Sequence, residues 1–293
     1  MGHGPPNRAR PVTSRRVSYP AGLFVLDRPA GSGYLEPDDP PPDGPVVVLV
    51  HGTLDRANSF RRSIRRLEEF RVVAYDRRGY QDSRGSGPPV GVDQHIDDLL
   101  GVLDAIGGAS VVVGHSLGGV VVMGAAVAEP DRFASMGAFE PPLPWIPVEG
   151  RPQRSVSGGL PDDPDVAVET FFRAQVGDAG WDRLEAAARA DRLADGPALV
   201  TELASLNGEA PFDVNALAVP AVFGNGGMSQ PFHKATVAWL ADQIPGAERV
   251  EIEGAAHGAH LSHPDAFAGF VRAVIARAEE PARRDAPAGD TDG

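Results

Sequence analysis

The chain contains no cysteine among its 293 residues. That excludes disulfides, thiolate metal sites and a cysteine nucleophile. No apolar run approaches the roughly 18 residues of a membrane-spanning helix, so no membrane partner is expected. Basic residues are short of acidic ones, 27 against 40, for a net charge of −13. Such a surface repels a phosphate backbone, and nucleic acid is not an expected partner. The basic opening stretch MGHGPPNRARPVTSRR is not followed by an apolar segment. No secretory signal is therefore read there, and a soluble, cytoplasmic protein is expected. Acidic residues are themselves missing from one window: none lies between Asp213 and Asp242. That window holds VPAVFGNGGMSQPF (Val219–Phe232), an apolar stretch running into a glycine-rich turn.

What is present alternates. VVVLVH (46–51) is a continuous apolar run, the pattern of a strand buried on both faces. SFRRSIRRLEEF (59–70) has helical spacing, with Ser59 as an N-cap candidate and an arginine-rich solvated face over Arg61–Arg66. RVVAYD (71–76), SVVVGH (110–115) and FASMGAFE (133–140) read as strands, and DQHIDDLLGVLDAIG (93–107) and LGGVVVMGAAVAE (117–129) as helices. Near the start, RRVSYPAGLFVLDRPAG offers two short strands, read as an antiparallel edge. The alternation breaks over 141–212, which carries prolines and then two helical segments. AVPAVFG (218–224), KATVAWLADQI, RVEIEG (249–254) and PDAFAGFVRAVIARAEE restore it. Strand–helix repetition predicts an α/β fold with a mostly parallel central sheet flanked by helices. The expected organisation is a core of 17–140 and 213–279, a helical cap insertion at 141–212 over the strand C-terminal edge, and disordered tails at 1–16 and 280–293.

GHSLGG (114–119) carries the strongest chemical signal. It fits G-x-S-x-G between a strand and a helix, which places Ser116 on a sharp turn at a helix N-terminus. An incidental Gly-Ser turn would lack that context. A serine nucleophile needs a base. EGAAHGAHLSHPDAF holds His257, His260 and His263 after the last strand. His257 is the candidate base, with His260 and His263 packing or capping the helix start; a three-histidine zinc site is the competing reading. Asp76, ending its strand beside Arg77 and Arg78, reads as a tie for its own loop.

These motifs resemble the α/β-hydrolase superfamily, in its serine esterase-like branch, over roughly Val46 to Glu279. HGTLDR (51–56) resembles the family's oxyanion turn, YDRRGYQDS (75–83) its D-x-R-G-x-G-x-S loop, and GHSLGG its nucleophile elbow. GAAHGAHLSHPDAF (254–267) resembles its G-x-x-H segment. The second motif departs from the pattern at Gln81, where a glycine is usual. The resemblance implies that Ser116 attacks an acyl carbonyl and His257 carries the proton. It further implies that the backbone N–H groups of Thr53 and Leu117 stabilise the oxyanion, with no metal or other cofactor. Haloalkane- and epoxide-cleaving relatives use a carboxylate at the elbow, where this chain has Ser116.

The resemblance also defines a vacancy. The commonest acid would stand at Gly227, in Gly224-Asn225-Gly226-Gly227. Some members place the acid after the strand that here ends in Glu140, followed by Pro141 and Pro142, and Glu140 is the expected triad acid. Asn225 as an uncharged orienter and another carboxylate such as Asp213 are the alternatives. The cap carries Trp145, Phe171, Phe172 and Trp181, with Leu143 and Ile146. Phe171 and Phe172 are expected in the cap core, and Trp145, Leu143 and Leu54 along the substrate pocket. An apolar roof favours an uncharged acyl or aryl small molecule. The expected activity is hydrolysis of an ester, thioester or lactone through an acyl-enzyme. Carbon–carbon bond hydrolysis or cofactor-free perhydrolysis by the same residues is one alternative, and a ligand-binding homologue with little turnover is another.

Overall fold

A computed structural model of the chain describes residues 23, 25–28, 45–148, 161–206 and 209–284, with the backbone alone described at 25–28 and 280–284. Seven strands form one sheet in the order β1-β3-β2-β4-β5-β6-β7. They are β1 (Val25–Arg28), β2 (Val47–Val50), β3 (Val72–Tyr75), β4 (Ser110–His115), β5 (Phe133–Phe139), β6 (Ala221–Gly226) and β7 (Glu248–Ile252). β1 pairs antiparallel to β3, and the six strands β2 to β7 run parallel. The sequence pattern reaches this architecture because Val, Leu and Ala fill both faces of the central strands, so helices must cover both.

The pleat sorts those side chains. Val48, Val50, Val112, Met136 and Phe223 pack beneath α2 (Val92–Ile106), α3 (Leu117–Ala128) and α8 (Pro231–Gln243). Val47, Leu49, Val111, Val113 and Val222 pack beneath α1 (Arg61–Ile64), α9 (Ala259–Ser262) and α10 (Pro264–Arg284). Between β5 and β6 the described residues hold four helices and no strand: α4 (Pro164–Val176), α5 (Asp178–Asp182), α6 (Ala186–Leu193) and α7 (Gly196–Ser205). Their apolar faces, with Trp181 and Leu199 fully buried, join the first of the two core layers.

Several expected boundaries move. The helix read over 59–70 is a 3₁₀ turn at Ala57–Phe60 followed by a single α-turn, so Ser59 lies inside the turn and donates its hydroxyl to Asp55 instead of capping a helix. Two sequential 3₁₀-type bonds, Arg66 N–H to Ser63 and Leu67 N–H to Ile64, end it early. β6 starts after Pro220, which has no N–H for the ladder, and continues through Asn225 and Gly226. α7 had no counterpart in the sequence reading. α10 runs on to Arg284, past the expected end at 279. The expected tail at 1–16 and the rest of the tail to 293 lie outside the described residues.

Candidate active site

Register brings the chemistry to one edge of the sheet. His115 of β4 pairs with Phe139 of β5, and Phe139 with Gly224 of β6. Ser116 and Glu140 are therefore the first residues past two adjacent strand tips. The ladder extends to both, with Ser116 N–H donating to Phe139 O at 2.8 Å and Glu140 N–H to Gly224 O at 2.9 Å. Each then leaves the sheet in a left-handed conformation, Ser116 at φ 53° and Glu140 at φ 50°. Side chains rarely adopt this geometry, and its local cost is of order 1–3 kcal/mol.

At Ser116 two glycines make the turn possible. A Cβ on Gly118 would lie 2.2 Å from Val50 O and 2.6 Å from His51 O, and one on Gly114 would lie 2.2 Å from Gly118 O. Helix α3 can thus start hard against β2 and β4. The turn His51-Gly52-Thr53 passes the serine closely, since a Cβ on Gly52 would sit 2.8 Å from Ser116 Cβ. Ser116 Oγ has no hydrogen-bond partner among the described residues. Such bonds often tighten only around substrate.

Glu140 is fully buried and saturated. Its Oε1 accepts from Gly226 N–H at 2.7 Å and from the Ser229 hydroxyl, and its Oε2 accepts from His257 Nδ1 at 2.7 Å. Burial pushes the carboxyl up, but the hydrogen bond and charge of His257, the nearby His233 and the Ser229 hydroxyl hold it below the ordinary carboxylate range. In the neutral tautomer that donates Nδ1–H to Glu140, the His257 Nε2 carries a lone pair. The His257 backbone is fixed from below: His115 Nε2 donates to its carbonyl at 2.8 Å, and the two rings lie 4.8 Å apart. His115, beside Ser116, is kept neutral chiefly by burial and then by the neighbouring histidines.

A profile described as the alpha/beta hydrolase family matches residues 47–270. The chain belongs to the α/β-hydrolase family. Lipase LipV of Mycobacterium tuberculosis is 32% identical over 142 residues, 48% of this chain and 53% of that protein. Epoxide hydrolase A of the same organism is 38% identical over 109 residues, 34% of this chain and 33% of that protein. The matched region thus spans about half or less of those relatives. Among solved structures, the enol-lactonase from Burkholderia xenovorans LB400 superposes with a TM-score of 0.67 at 21% identity, covering 89% of this chain and 99% of that one. This last likeness is one of fold.

Within this α/β-hydrolase the two alternatives to Glu140 make their hydrogen bonds elsewhere. Asn225 donates to Glu251 at 2.9 Å and accepts from Arg249 at 3.1 and 3.2 Å, and Asp213 accepts from Asn215 N–H at 2.9 Å. The three histidines of the 254–267 segment do not converge. His260 Nε2 bonds Asp55 at 3.0 Å while packing on Phe60, and His263 bonds Ser262. Two other groups bring three potential ligand atoms within 4.8 Å of one another: Asp55 with His115 and His260, and Glu140 with His233 and His257. Asp76 accepts from the N–H groups of Ala57 at 2.8 Å and Asp82 at 3.4 Å, tying two loops together.

Leu143 is fully buried and Leu54 nearly so, while Trp145 keeps partial exposure with its ring edge-on to Phe212. Trp181 is buried among the inserted helices, against Phe172. Two neighbours of the site escaped the sequence reading. His233 stacks on His257 with centroids 4.6 Å apart and Nδ1 3.8 Å from Glu140 Oε2. A histidine just past a glycine-rich turn was its only signal. Glu202 is buried beside Arg77; it lies on α7, which sequence periodicity had not revealed.

Among the described residues no helix is long and apolar enough to cross a membrane.

Proposed function

We propose that this protein is a serine hydrolase that cleaves an ester, thioester or lactone of an apolar small molecule through an acyl-enzyme. In this reading Ser116 attacks the carbonyl, and His257 Nε2 takes the Ser116 proton and later passes it to the leaving group. Glu140 holds the imidazole in the required tautomer and balances its charge after proton transfer. The N–H groups of Thr53 and Leu117 receive the oxyanion; one such donor typically contributes about 3 kcal/mol to the transition state. The observation that carries the reading is the Glu140–His257 hydrogen bond of 2.7 Å on a loop pinned to His115, the residue before the strained Ser116. The similarity to a lipase supports it. Epoxide cleavage, suggested by another relative's name, is disfavoured because the elbow residue is Ser116 and not a carboxylate.

A fluorophosphonate probe together with p-nitrophenyl esters of increasing chain length tests the reading. Labelling and turnover that vanish in Ser116→Ala are expected. Absence of both in the wild-type protein would sink it and favour a ligand-binding homologue.

A further inference from the structure

One buried network spans the hydrolase core and the inserted helices. Arg77 is fully buried, and the four hydrogen bonds it donates divide between them. Its backbone N–H donates to His51 Nε2 at 2.8 Å, its Nε to His51 O at 2.9 Å and its Nη2 to Gly52 O at 3.0 Å. The remaining Nη1 donates to Glu202 Oε2 at 2.8 Å. His51 completes the turn by donating its Nδ1 proton to Gly52 O at 2.8 Å. The Arg77 guanidinium therefore fixes both carbonyls, and its backbone N–H the imidazole, of the turn that leads into Thr53.

Its charge is balanced by a residue of α7. Glu202 is fully buried, and its other partners are Tyr80 OH at 2.5 Å and His95 Nε2 at 3.2 Å. Tyr80 belongs to the same assembly, with its ring edge-on to His51 at 5.4 Å and beneath the Arg77 guanidinium at 4.9 Å. A buried arginine that loses its carboxylate must find other compensation, by hydration or by moving. Either loosens its hold on His51 and Gly52.

We propose that Glu202 is a positioning residue for the oxyanion-binding turn, so that α7 is a fixed part of the catalytic apparatus and not a lid that lifts away. The proposal rests on the hydrolase reading given above. Glu202 acts through Arg77. It holds the Thr53 N–H on the line where charge develops, an effect felt in the transition state more than in substrate binding. The insertion also reaches the far end of this segment: Asp191 accepts from Arg56 Nη1 at 2.8 Å and Arg192 Nη1 donates to Leu54 O at 2.8 Å, beside the Arg84 pairs with Asp195 at 2.6 Å and Asp191 at 2.7 Å. Of these side chains, Glu202 is the one that acts on His51 and Gly52, through Arg77.

The test compares Glu202→Gln with Leu199→Ala. The second makes a cavity in the same helix, at a fully buried residue that takes no part in Arg77's hydrogen bonds. Two readouts are taken: kcat and KM for the best p-nitrophenyl ester, and amide hydrogen exchange of the peptide covering residues 51–54. Glu202→Gln is expected to lower kcat by at least about tenfold, with KM within about twofold, and to speed exchange in that peptide. Leu199→Ala is expected to lower the Tm while leaving kcat and that exchange within about twofold. If Glu202→Gln does not fold, Tyr80→Phe removes one of the Glu202 hydrogen bonds and is read the same way. Unchanged kcat and unchanged 51–54 exchange in a folded variant, or equal effects in Leu199→Ala, overturn the proposal. If the wild-type protein has no Ser116-dependent turnover, the hydrolase reading has failed separately, and exchange alone decides whether Glu202 holds the turn.

Discussion

Glu140 has no water to rely on, so each of its oxygens must be satisfied by the protein. Gly226, Ser229 and His257 do this, and in the proposed mechanism only the His257 bond has a chemical use. Glu140→Ala is expected to lower kcat at least about a hundredfold while the protein stays folded, because the imidazole loses both its orienting partner and its counter-charge. Asn225→Ala, whose amide serves Glu251 and Arg249, should change kcat by less than about threefold. Steady-state kinetics on the two variants check this, and a reversed order would reject Glu140 as the acid. The missing carboxylate at Gly227 was legible from the sequence because a motif position was vacant. The expectation of Glu140 in its place came from a glutamate followed by two prolines at the end of the neighbouring strand, and Glu140 Oε2 lies 2.7 Å from His257 Nδ1. His233 was not legible, since stacking of a residue in the first turn of α8 on a histidine from a later loop leaves no pattern in one chain segment. Gln81 adopts φ 43°, which gives a physical reason for the glycine usually found at that motif position.

At the level of elements, the central strands were readable because both-face burial writes a continuous apolar run. The insertion was readable only in outline. Its helices are short and expose much of their surface, and α7 has an apolar face broken by Glu202. Helix α3 makes the sharpest prediction at this scale. Its approach to β2 at Gly118 is backbone on backbone, with no flexible group to yield. Gly118→Ala should therefore cost at least about 4 kcal/mol and leave little folded protein. Gly124, on the same helix, faces the end of the Ile96 side chain, with Cδ1 2.3 Å from a built Cβ and Phe212 Cδ1 at 3.0 Å. Ile96 can change rotamer, so Gly124→Ala should cost only about 1–3 kcal/mol, partly offset by the better helix propensity of alanine. Urea unfolding of both variants decides the matter; similar losses at the two sites would mean that α3 is not held to the sheet as described.

For the whole molecule, two buried groups of the same loop region oppose each other as pH falls. Burial, then the Arg77 charge, lowers His51 from 6.5 to about 3. The unfolded chain then binds the proton more readily, so the stability from neutral His51 is complete above pH 6.5 and drains away as pH falls toward 3. Burial raises Asp76 from 3.8 to about 6, against the pull of the Ala57 and Asp82 N–H groups. Here the folded chain holds the proton more readily, so the destabilisation present above pH 6 is relieved as pH falls toward 3.8. At about 1.4 kcal/mol per pKa unit, each term amounts to about 2–3 kcal/mol between pH 6.5 and 4.5. They cancel to within about 1 kcal/mol over that window. Asp76→Asn keeps the side-chain volume and an acceptor for Ala57 N–H but removes one of the two opposing terms. The variant is expected to lose about 2 kcal/mol more than the wild-type protein on going from pH 6.5 to 4.5. Urea denaturation at pH 6.5, 5.5 and 4.5 measures the difference. Parallel pH profiles for the two proteins would mean that Asp76 is ionised in the fold throughout, and that the loop it ties together is more hydrated than its burial implies.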